Sequence, residues 1–282
     1  MSLHEAGVML ATYLLEDMTM TSIPTLFISH GAPTFSVEPG LLGPQLTALG
    51  QTLPRPKAVL VVSPHWTTQQ IRVGTTAQPE TIHDFGGFPR ELYEIQYPVP
   101  GAPAIAAHVV DVLRAAGWQA SADERRGLDH GAWVPVRYLF PDGDVPVFQV
   151  SMPAGLDADT AYAFGAALAP LREEGVLIVG SGSLTHNLYE FRGPVTEDAV
   201  YAREFAGWVR ETVVAGDHDR LRRTLEIAPH AKRAHPTTEH FLPLLVAAGA
   251  AGADSAVDVL DGGITYGILS MDSYVFGSPT QH

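Results

Sequence analysis

Three short apolar runs stand out along the chain, and a histidine follows each of them. The runs are Thr25–Ser29, Ala58–Val62 and Val176–Val179. Continuous apolar runs of this length are typical of strands buried on both faces of a parallel sheet. His30, His65 and His186 come shortly after them, with Pro64 expected to end the second strand because it has no backbone N–H. We therefore expect all three histidines beyond the carboxyl ends of strands, with His30 and His65 on neighbouring strands.

Apolar residues at helical spacing predict helices between these strands. The segments with this spacing are 41–50, 102–116, 132–140, 161–174, 197–214, 218–227 and a helix within 234–248. A strand over 145–152, the helix over 161–174 and the third strand form a βαβ unit, which requires parallel strands. A β-rich segment over 263–276 is expected to complete the sheet. The pattern predicts a single α/β domain over residues 23–282, with a mostly parallel central sheet flanked by helices.

Residues 1–22 are predicted to be a leader outside this domain, with Met18 or Met20 as alternative starts. The first twenty residues contain no Lys or Arg, and Glu16 and Asp17 interrupt their apolar run, so they do not resemble a secretory signal. No other segment approaches the ~20 apolar residues that a membrane-spanning helix needs. We expect a cytoplasmic protein that is not embedded in a membrane.

Composition restricts the partners and the chemistry. The formal net charge of −14 argues against binding to nucleic acid or to anionic lipid. The 282 residues include no cysteine, so a metal site would have to use histidines and carboxylates. A content of 46% hydrophobic and 17% charged residues is that of a globular protein.

The histidines are the candidate chemistry. In open α/β sheets, ligands bind beyond the carboxyl ends of the strands, where His30, His65 and His186 are expected. His240 is predicted in the first turn of the helix within 234–248. A site with three protein ligands leaves positions open for water, substrate or dioxygen, but the pattern does not say which three of these histidines bind. Alternatively, each is an ordinary loop histidine that hydrogen-bonds to the backbone.

A long segment over 81–101 is predicted to be a loop that shapes a binding site, since loops of this length in compact domains are usually functional. Its aromatic residues include Phe88 and Tyr97, which we expect to stack on a bound ring. Arg90 is a candidate for binding a substrate carboxylate, or it faces solvent. The alternative is a packed surface loop that its aromatic residues anchor.

Several ordered motifs together resemble one family. They are SHGAP around His30, SPHW around His65, HDFGGFP at 83–89, the segment 97–101, GLDHG around His130, THNL around His186 and TEHFLPLL at 238–245. With this order, the chain from about Thr25 onward resembles the class III (LigB-type) extradiol ring-cleavage dioxygenases, in the branch similar to 4,5-DOPA dioxygenase. The resemblance implies a metal site outside the sheet at the carboxyl ends of the strands.

The resemblance also implies cofactor, substrates and roles. A non-haem Fe²⁺ would bind a catechol and O₂ and open the ring to a semialdehyde, and Zn²⁺ is the other metal that such a site would hold. His30, His65 and His240 are the implied ligands, with Glu239 as the alternative for the third. His186 is implied as the base near the metal, or as a fourth ligand in a substrate-free or zinc-loaded form. His130 is implied to contact dioxygen or substrate and to donate a proton.

Two other function classes fit the same residues. A zinc-dependent hydrolase would use the histidines to activate water and would be indifferent to oxygen. A Memo-like binding module would keep the fold without the chemistry. The presence of all four site histidines and of His130 favours the dioxygenase.

Overall fold

The computed structural model describes residues 22–193 and 197–277, so the predicted leader lies almost entirely outside the described residues. Its centre is a sheet of eight strands in the order β4-β3-β5-β2-β6-β1-β10-β7. The strands are β1 (Thr25–Ser29), β2 (Ala58–Thr68), β3 (Ile71–Gly74), β4 (Ala120–Asp123), β5 (Val147–Pro153), β6 (Val176–Gly182), β7 (Val257–Leu260) and β10 (Ser273–Phe276); β8 (Ile264–Thr265) and β9 (Leu269–Ser270) form a separate pair. Four of the strand pairs in this sheet are parallel, namely β5–β2, β2–β6, β6–β1 and β3–β4.

Helices cover both faces of the sheet. They are α1 (Leu42–Thr52), α2 (Arg90–Glu94), α3 (Pro103–Ala115), α4 (His130–Leu139), α5 (Ala158–Leu168), α6 (Val200–Val214), α7 (His218–Arg222), α8 (Thr224–Ile227), α9 (Ala231–Ala234) and α10 (Leu242–Ala251). One apolar core includes residues of α3, α5, α6 and α10, and a second includes residues of α1 and α4. The predicted single α/β domain with a mostly parallel sheet is confirmed. No helix among the described residues is long and apolar enough to cross a bilayer.

Two expectations about the strands that carry histidines were wrong. The second strand does not end at Pro64 but continues to Thr68, and its pairing with β5 shifts register between Ser63 and Thr67. A proline is tolerated at such an irregularity because the ladder has no hydrogen bond there for it to donate. The strands β1 and β2 are also not neighbours, since β6 pairs with both and lies between them. The irregularity in β2 nevertheless leaves His65 at the same edge as His30.

Helix α10 is buried on every side, and its backbone packs very closely against both the sheet and α5. All ten of its residues are buried. A Cβ on Gly180 of β6 would collide with the carbonyl oxygen of Pro243, and one on Gly165 of α5 would collide with that of Val246. Backbones this close leave no room for side chains, so glycine is required on the facing elements. His240 lies two residues before α10, in a turn rather than in the predicted first turn of the helix.

Replacing Gly165 with alanine is expected to lower the free energy of unfolding by about 1–3 kcal/mol, because the added methyl group forces α5 away from α10. Chemical denaturation monitored by circular dichroism measures the change. Gly207→Ala is the matched control: Gly207 also lies within a helix, α6, but a Cβ there would contact nothing within 4 Å. In that variant the better helix propensity of alanine should raise stability by about 0.5–1 kcal/mol. Equal effects of the two substitutions would contradict the close-packing explanation.

Candidate metal centre

Five histidines meet at the edge of the sheet where β1 and β6 end. His30 directly follows β1, His65 lies at the irregularity in β2, and His186 follows β6 by four residues. His130 is the first residue of α4, and His240 precedes α10. The distances between ring centres are 5.1 Å for His30–His65, 5.4 Å for His30–His240, 5.1 Å for His65–His240, 4.1 Å for His65–His130 and 3.5 Å for His186–His240. The structure thus brings together every histidine that the sequence marked for the site.

Two of these rings are fixed in one tautomer by their neighbours. The Ser181 hydroxyl donates to the carbonyl oxygen of Gly131, so it accepts a hydrogen bond from His30 Nδ1 at 2.9 Å. The carboxylate of Glu239 is a pure acceptor and lies 3.1 Å from His240 Nδ1. Both rings therefore carry their proton on Nδ1 and present the lone pair of Nε2.

The possible ligand atoms at this edge form two groups, His30, His65 and His130 in one and His186, Glu239 and His240 in the other, and the atoms within each group lie within 4.8 Å of one another. His30 Nε2 lies 3.1 Å from His65 Nε2. His240 Nε2 is buried and has no hydrogen-bond partner among the described residues. An unpaired nitrogen in the interior costs free energy unless something binds it, and a divalent cation between the three rings would satisfy all three atoms. Three imidazoles, of which two have Nδ1 held by a hydrogen bond, fit a transition metal of the Fe or Zn type.

The surroundings keep these imidazoles neutral. Burial, together with the neighbouring rings, lowers the pKa of His30 well below its usual value. Burial also lowers the pKa of His65 to about 4, of His186 to about 4 and of His240 to about 3. A neutral imidazole is the form that ligates a metal or accepts a proton.

Asp84 supports two of the rings and was not singled out by the sequence analysis, although it lies within the HDFGGFP motif. Its Oδ1 accepts hydrogen bonds from both the backbone N–H and Nδ1 of His130, each at 2.9 Å, and its Oδ2 lies 3.6 Å from His65 Nδ1. Burial alone would raise the pKa of Asp84, but the hydrogen bonds and charge of His130 lower it to about 2. The group is therefore a carboxylate at neutral pH that orients His130.

Asp84→Asn is expected to reduce kcat/KM by about 10–100-fold while bound metal is retained, because the amide keeps the shape but removes the charge that orients His130. Steady-state oxygen uptake and metal analysis measure the two quantities. Asp111→Asn, on an exposed position of α3, is the control and should behave as the unsubstituted protein. An unchanged kcat/KM in Asp84→Asn would show that the carboxylate does not position a reacting group.

The two candidates for the third ligand differ in where they lie. His240 is buried and its ring centre lies 5.4 Å from that of His30 and 5.1 Å from that of His65, whereas Glu239 is more exposed. Glu239 Oε1 accepts hydrogen bonds from His240 Nδ1 and from the hydroxyl of Thr237. His186 stacks flat on the His240 ring, with an angle of 11° between the planes.

An apolar cavity of about 400 Å³ opens beside the histidines. Its lining residues are Gly31, Ala32, Pro33, His65, Phe85, Phe88, His130, His186, Leu188, Phe191, His240 and Leu269. Phe88 therefore lies where a ring could bind, as the sequence analysis expected. Phe191 and Leu269 were missed because their segments carry no distinctive motif, and Leu188 was missed although it ends the THNL motif.

One expectation for the loop over 81–101 is wrong, and of the two alternatives for Arg90 the solvent-facing one is correct. Tyr97 is 3% exposed and does not line the cavity, because its hydroxyl donates to the carbonyl oxygens of Phe140 at 2.7 Å and Val136 at 3.3 Å. It anchors the loop to α4 and contacts no substrate. Arg90 is exposed and pairs with Glu94 in the short helix α2, so it does not reach the cavity.

Comparison with known proteins agrees with this geometry. A family model described as the catalytic LigB subunit of aromatic ring-opening dioxygenase matches residues 41–277. The 4,5-DOPA dioxygenase extradiol of Beta vulgaris is 40% identical over 260 residues, which cover 90% of this chain and 96% of that protein. The Escherichia coli K12 protein of the same name is 37% identical over 273 residues, which cover 94% and 100%.

A solved structure shares the fold. The crystal structure of an uncharacterised Escherichia coli K12 protein matches with a TM-score of 0.74 and 31% identity, over 90% of this chain and 100% of that one. The resemblance that the motifs indicated is confirmed by both kinds of comparison. The chain belongs to the LigB family of aromatic ring-opening dioxygenases.

Proposed function

We propose that this protein is an iron-dependent extradiol dioxygenase that adds both atoms of O₂ to a monocyclic catechol, such as DOPA or a related diol, and releases a ring-opened semialdehyde. The observation that carries the proposal is the convergence of His30, His65 and His240 beside an apolar cavity of about 400 Å³. A cavity of this size fits one substituted aromatic ring. The names of the relatives support the same reaction and do not favour a hydrolase or a binding module.

In this proposal His30, His65 and His240 hold the metal, and Glu239 orients His240 rather than binding. His186 is a possible fourth ligand only in the substrate-free or zinc-loaded protein. Ferrous iron, when bound, supplies the redox chemistry that lets dioxygen react with an aromatic diol. The protein supplies the binding of the ring, the movement of protons and the exclusion of water.

Two histidines move the protons. His186 lines the cavity and, as a neutral imidazole without a hydrogen-bonded side-chain partner among the described residues, accepts a proton from a catechol hydroxyl. His130 lines the cavity beside His65, and Asp84 holds its Nδ1, which leaves Nε2 as the nitrogen available to a bound ring. It donates a proton to an oxygen atom derived from O₂ as the O–O bond breaks, and both oxygen atoms stay in the ring-opened product. Phe85 and Phe88 pack edge to face and enclose the ring.

The test removes bound metal with a chelator, restores Fe²⁺ without oxygen and then admits air with a panel of catechols. Oxygen consumption and the yellow absorbance of a ring-opened product are followed together. One O₂ consumed per catechol with iron, and none with Zn²⁺, is the expected result. Catalysis with Zn²⁺ that is indifferent to oxygen would indicate the hydrolase, and tight metal binding without any turnover would indicate a binding module.

A further inference from the structure

A second cavity lies next to the apolar cavity beside the histidines. It measures about 290 Å³ and is lined by Ala32, Thr34, Phe35, Glu38, Gly40, Thr265, Tyr266 and Met271. Ala32 lines both cavities, and the Phe191 ring of the first lies 5.2 Å from the Tyr266 ring of the second. The two cavities are therefore neighbours with Ala32 in their common wall, and we take a substituent on a ring bound beside the histidines to reach past Ala32.

The polar side chains of this second cavity form a chain of hydrogen bonds that ends in free hydrogen-bond acceptors. The Tyr266 hydroxyl donates to Glu38 Oε2 at 2.8 Å. Because its one proton is used there, Thr34 Oγ1 must donate to the Tyr266 oxygen in their contact of 2.6 Å. Both hydroxyl protons are thus committed, and the chain ends at a carboxylate with lone pairs to spare. Such a group attracts a donor with positive charge and repels an anion.

No cation balances this carboxylate from the cavity walls. Neither lining includes Lys or Arg, and residues 1–21, 194–196 and 278–282 contain no Lys or Arg. Arg192, near the apolar cavity, donates from Nη1 to the carbonyl oxygens of Tyr189 and Phe191 at 2.9 Å. The linings of the two cavities therefore offer a substrate carboxylate no Lys or Arg, whereas they offer an ammonium group Glu38.

The backbone of Tyr266 has a left-handed conformation. Its φ of 52° lies in the left-handed region, which costs a residue other than glycine about 1 kcal/mol or more. Tyr266 follows β8 in the short β8–β9 hairpin, and this conformation accompanies the placement of its hydroxyl between Thr34 and Glu38. Gly267 has a φ of 69° as well, and two successive left-handed residues are what a two-residue hairpin turn requires.

We propose that Glu38, with Tyr266 and Thr34, forms a subsite for the protonated amine of a catechol side chain, so that the preferred substrates are catechols with an aminoalkyl group and no carboxylate. This inference rests on the proposed function for the identity of the ring. It adds the class of substituent and the residues that select it.

The test measures equilibrium binding to the iron-loaded protein without oxygen, so it does not depend on turnover. The ligands are 3,4-dihydroxyphenethylamine, its neutral counterpart 4-ethylcatechol, the acid 3,4-dihydroxyphenylacetate, and DOPA. The amine should bind about fivefold more tightly than 4-ethylcatechol, the gain expected of one solvent-accessible ion pair, and the acid more weakly than either. DOPA should fall between the amine and the acid, because it carries both charges.

Glu38→Gln should bring the amine and 4-ethylcatechol within about twofold of each other and leave the affinity for 4-ethylcatechol unchanged. Tyr266→Phe should reduce the preference less, since the carboxylate remains. Glu211→Gln, an exposed position on α6, changes the net charge equally and should keep the preference. If turnover occurs, the same ratios should appear in KM rather than in kcat.

Equal affinity for the amine and 4-ethylcatechol in the unsubstituted protein, or a preference that survives Glu38→Gln, would overturn the subsite. So would tightest binding of the acid with loss of that binding in Arg192→Gln. Absence of oxygen uptake with every catechol contradicts the proposed function instead, and the binding ratios still decide the subsite.

Discussion

Oxygen uptake and bound iron are both expected to disappear when His240 is replaced by alanine. The His240 ring lies 5.4 Å from that of His30 and 5.1 Å from that of His65, and its buried Nε2 has no hydrogen-bond partner among the described residues. Removing it leaves two ligands, which hold a divalent ion far more weakly than three. Because metal affinity depends on the number of ligands, we expect the iron content after desalting to fall below about a tenth of an ion per chain. We also expect kcat to fall by at least about 1,000-fold.

Glu239→Gln is the matched control, because it changes the neighbouring residue and keeps its shape. Its amide can still accept from His240 Nδ1, so metal should remain bound, with affinity reduced by about 10–100-fold. Metal analysis and a chelator competition separate the two variants. If Glu239→Gln lost the metal and His240→Ala kept it, the carboxylate would be the third ligand.

Replacing His186 with alanine is expected to lower kcat by about 100- to 10,000-fold while iron stays bound. His186 lines the cavity and stacks on His240, but in the proposed site the metal ligands are His30, His65 and His240. Loss of a general base typically costs this much. Single-turnover absorbance changes on mixing the anaerobic iron–catechol complex with oxygenated buffer measure the effect.

The control for this variant is His108→Ala, since His108 is an exposed histidine on α3 that pairs with Glu174. It should match the unsubstituted protein in kcat and iron content. Loss of iron from His186→Ala would identify His186 as a ligand rather than a base. Retention of both iron and kcat would show that it takes no part in proton transfer.

The sequence predicted the histidines of the site better than the residues that orient them through hydrogen bonds. His30, His65 and His186 could be placed because buried parallel strands have a clear apolar pattern, and their carboxyl ends meet at one edge. Asp84 could not, because it lies in a loop without periodicity and contacts His130 across 46 positions of the chain. Contacts of this kind depend on tertiary packing, which no local pattern encodes.

The order of the strands in the sheet and the direction of individual side chains were even harder to predict from the sequence. The pattern gave β1 and β2 as strands but not the insertion of β6 between them, because every buried strand presents the same apolar run to its neighbours. Tyr97 and His218 show the same limit. Both lie in segments that appear polar or loop-like, yet both are buried, and His218 hydrogen-bonds to the hydroxyl of Tyr162 at 2.8 Å.

The all-nitrogen ligand set proposed for the metal, His30, His65 and His240, has a consequence for how the protein acquires that metal. The rings come from strand ends and from the turn before the fully buried α10, so the core of the fold sets their positions. Imidazole nitrogen binds Zn²⁺ more tightly than Fe²⁺ in the natural affinity order of divalent ions. With the proposed ligands, the fraction of active protein should therefore rise with the ratio of free iron to free zinc at the place and time of folding.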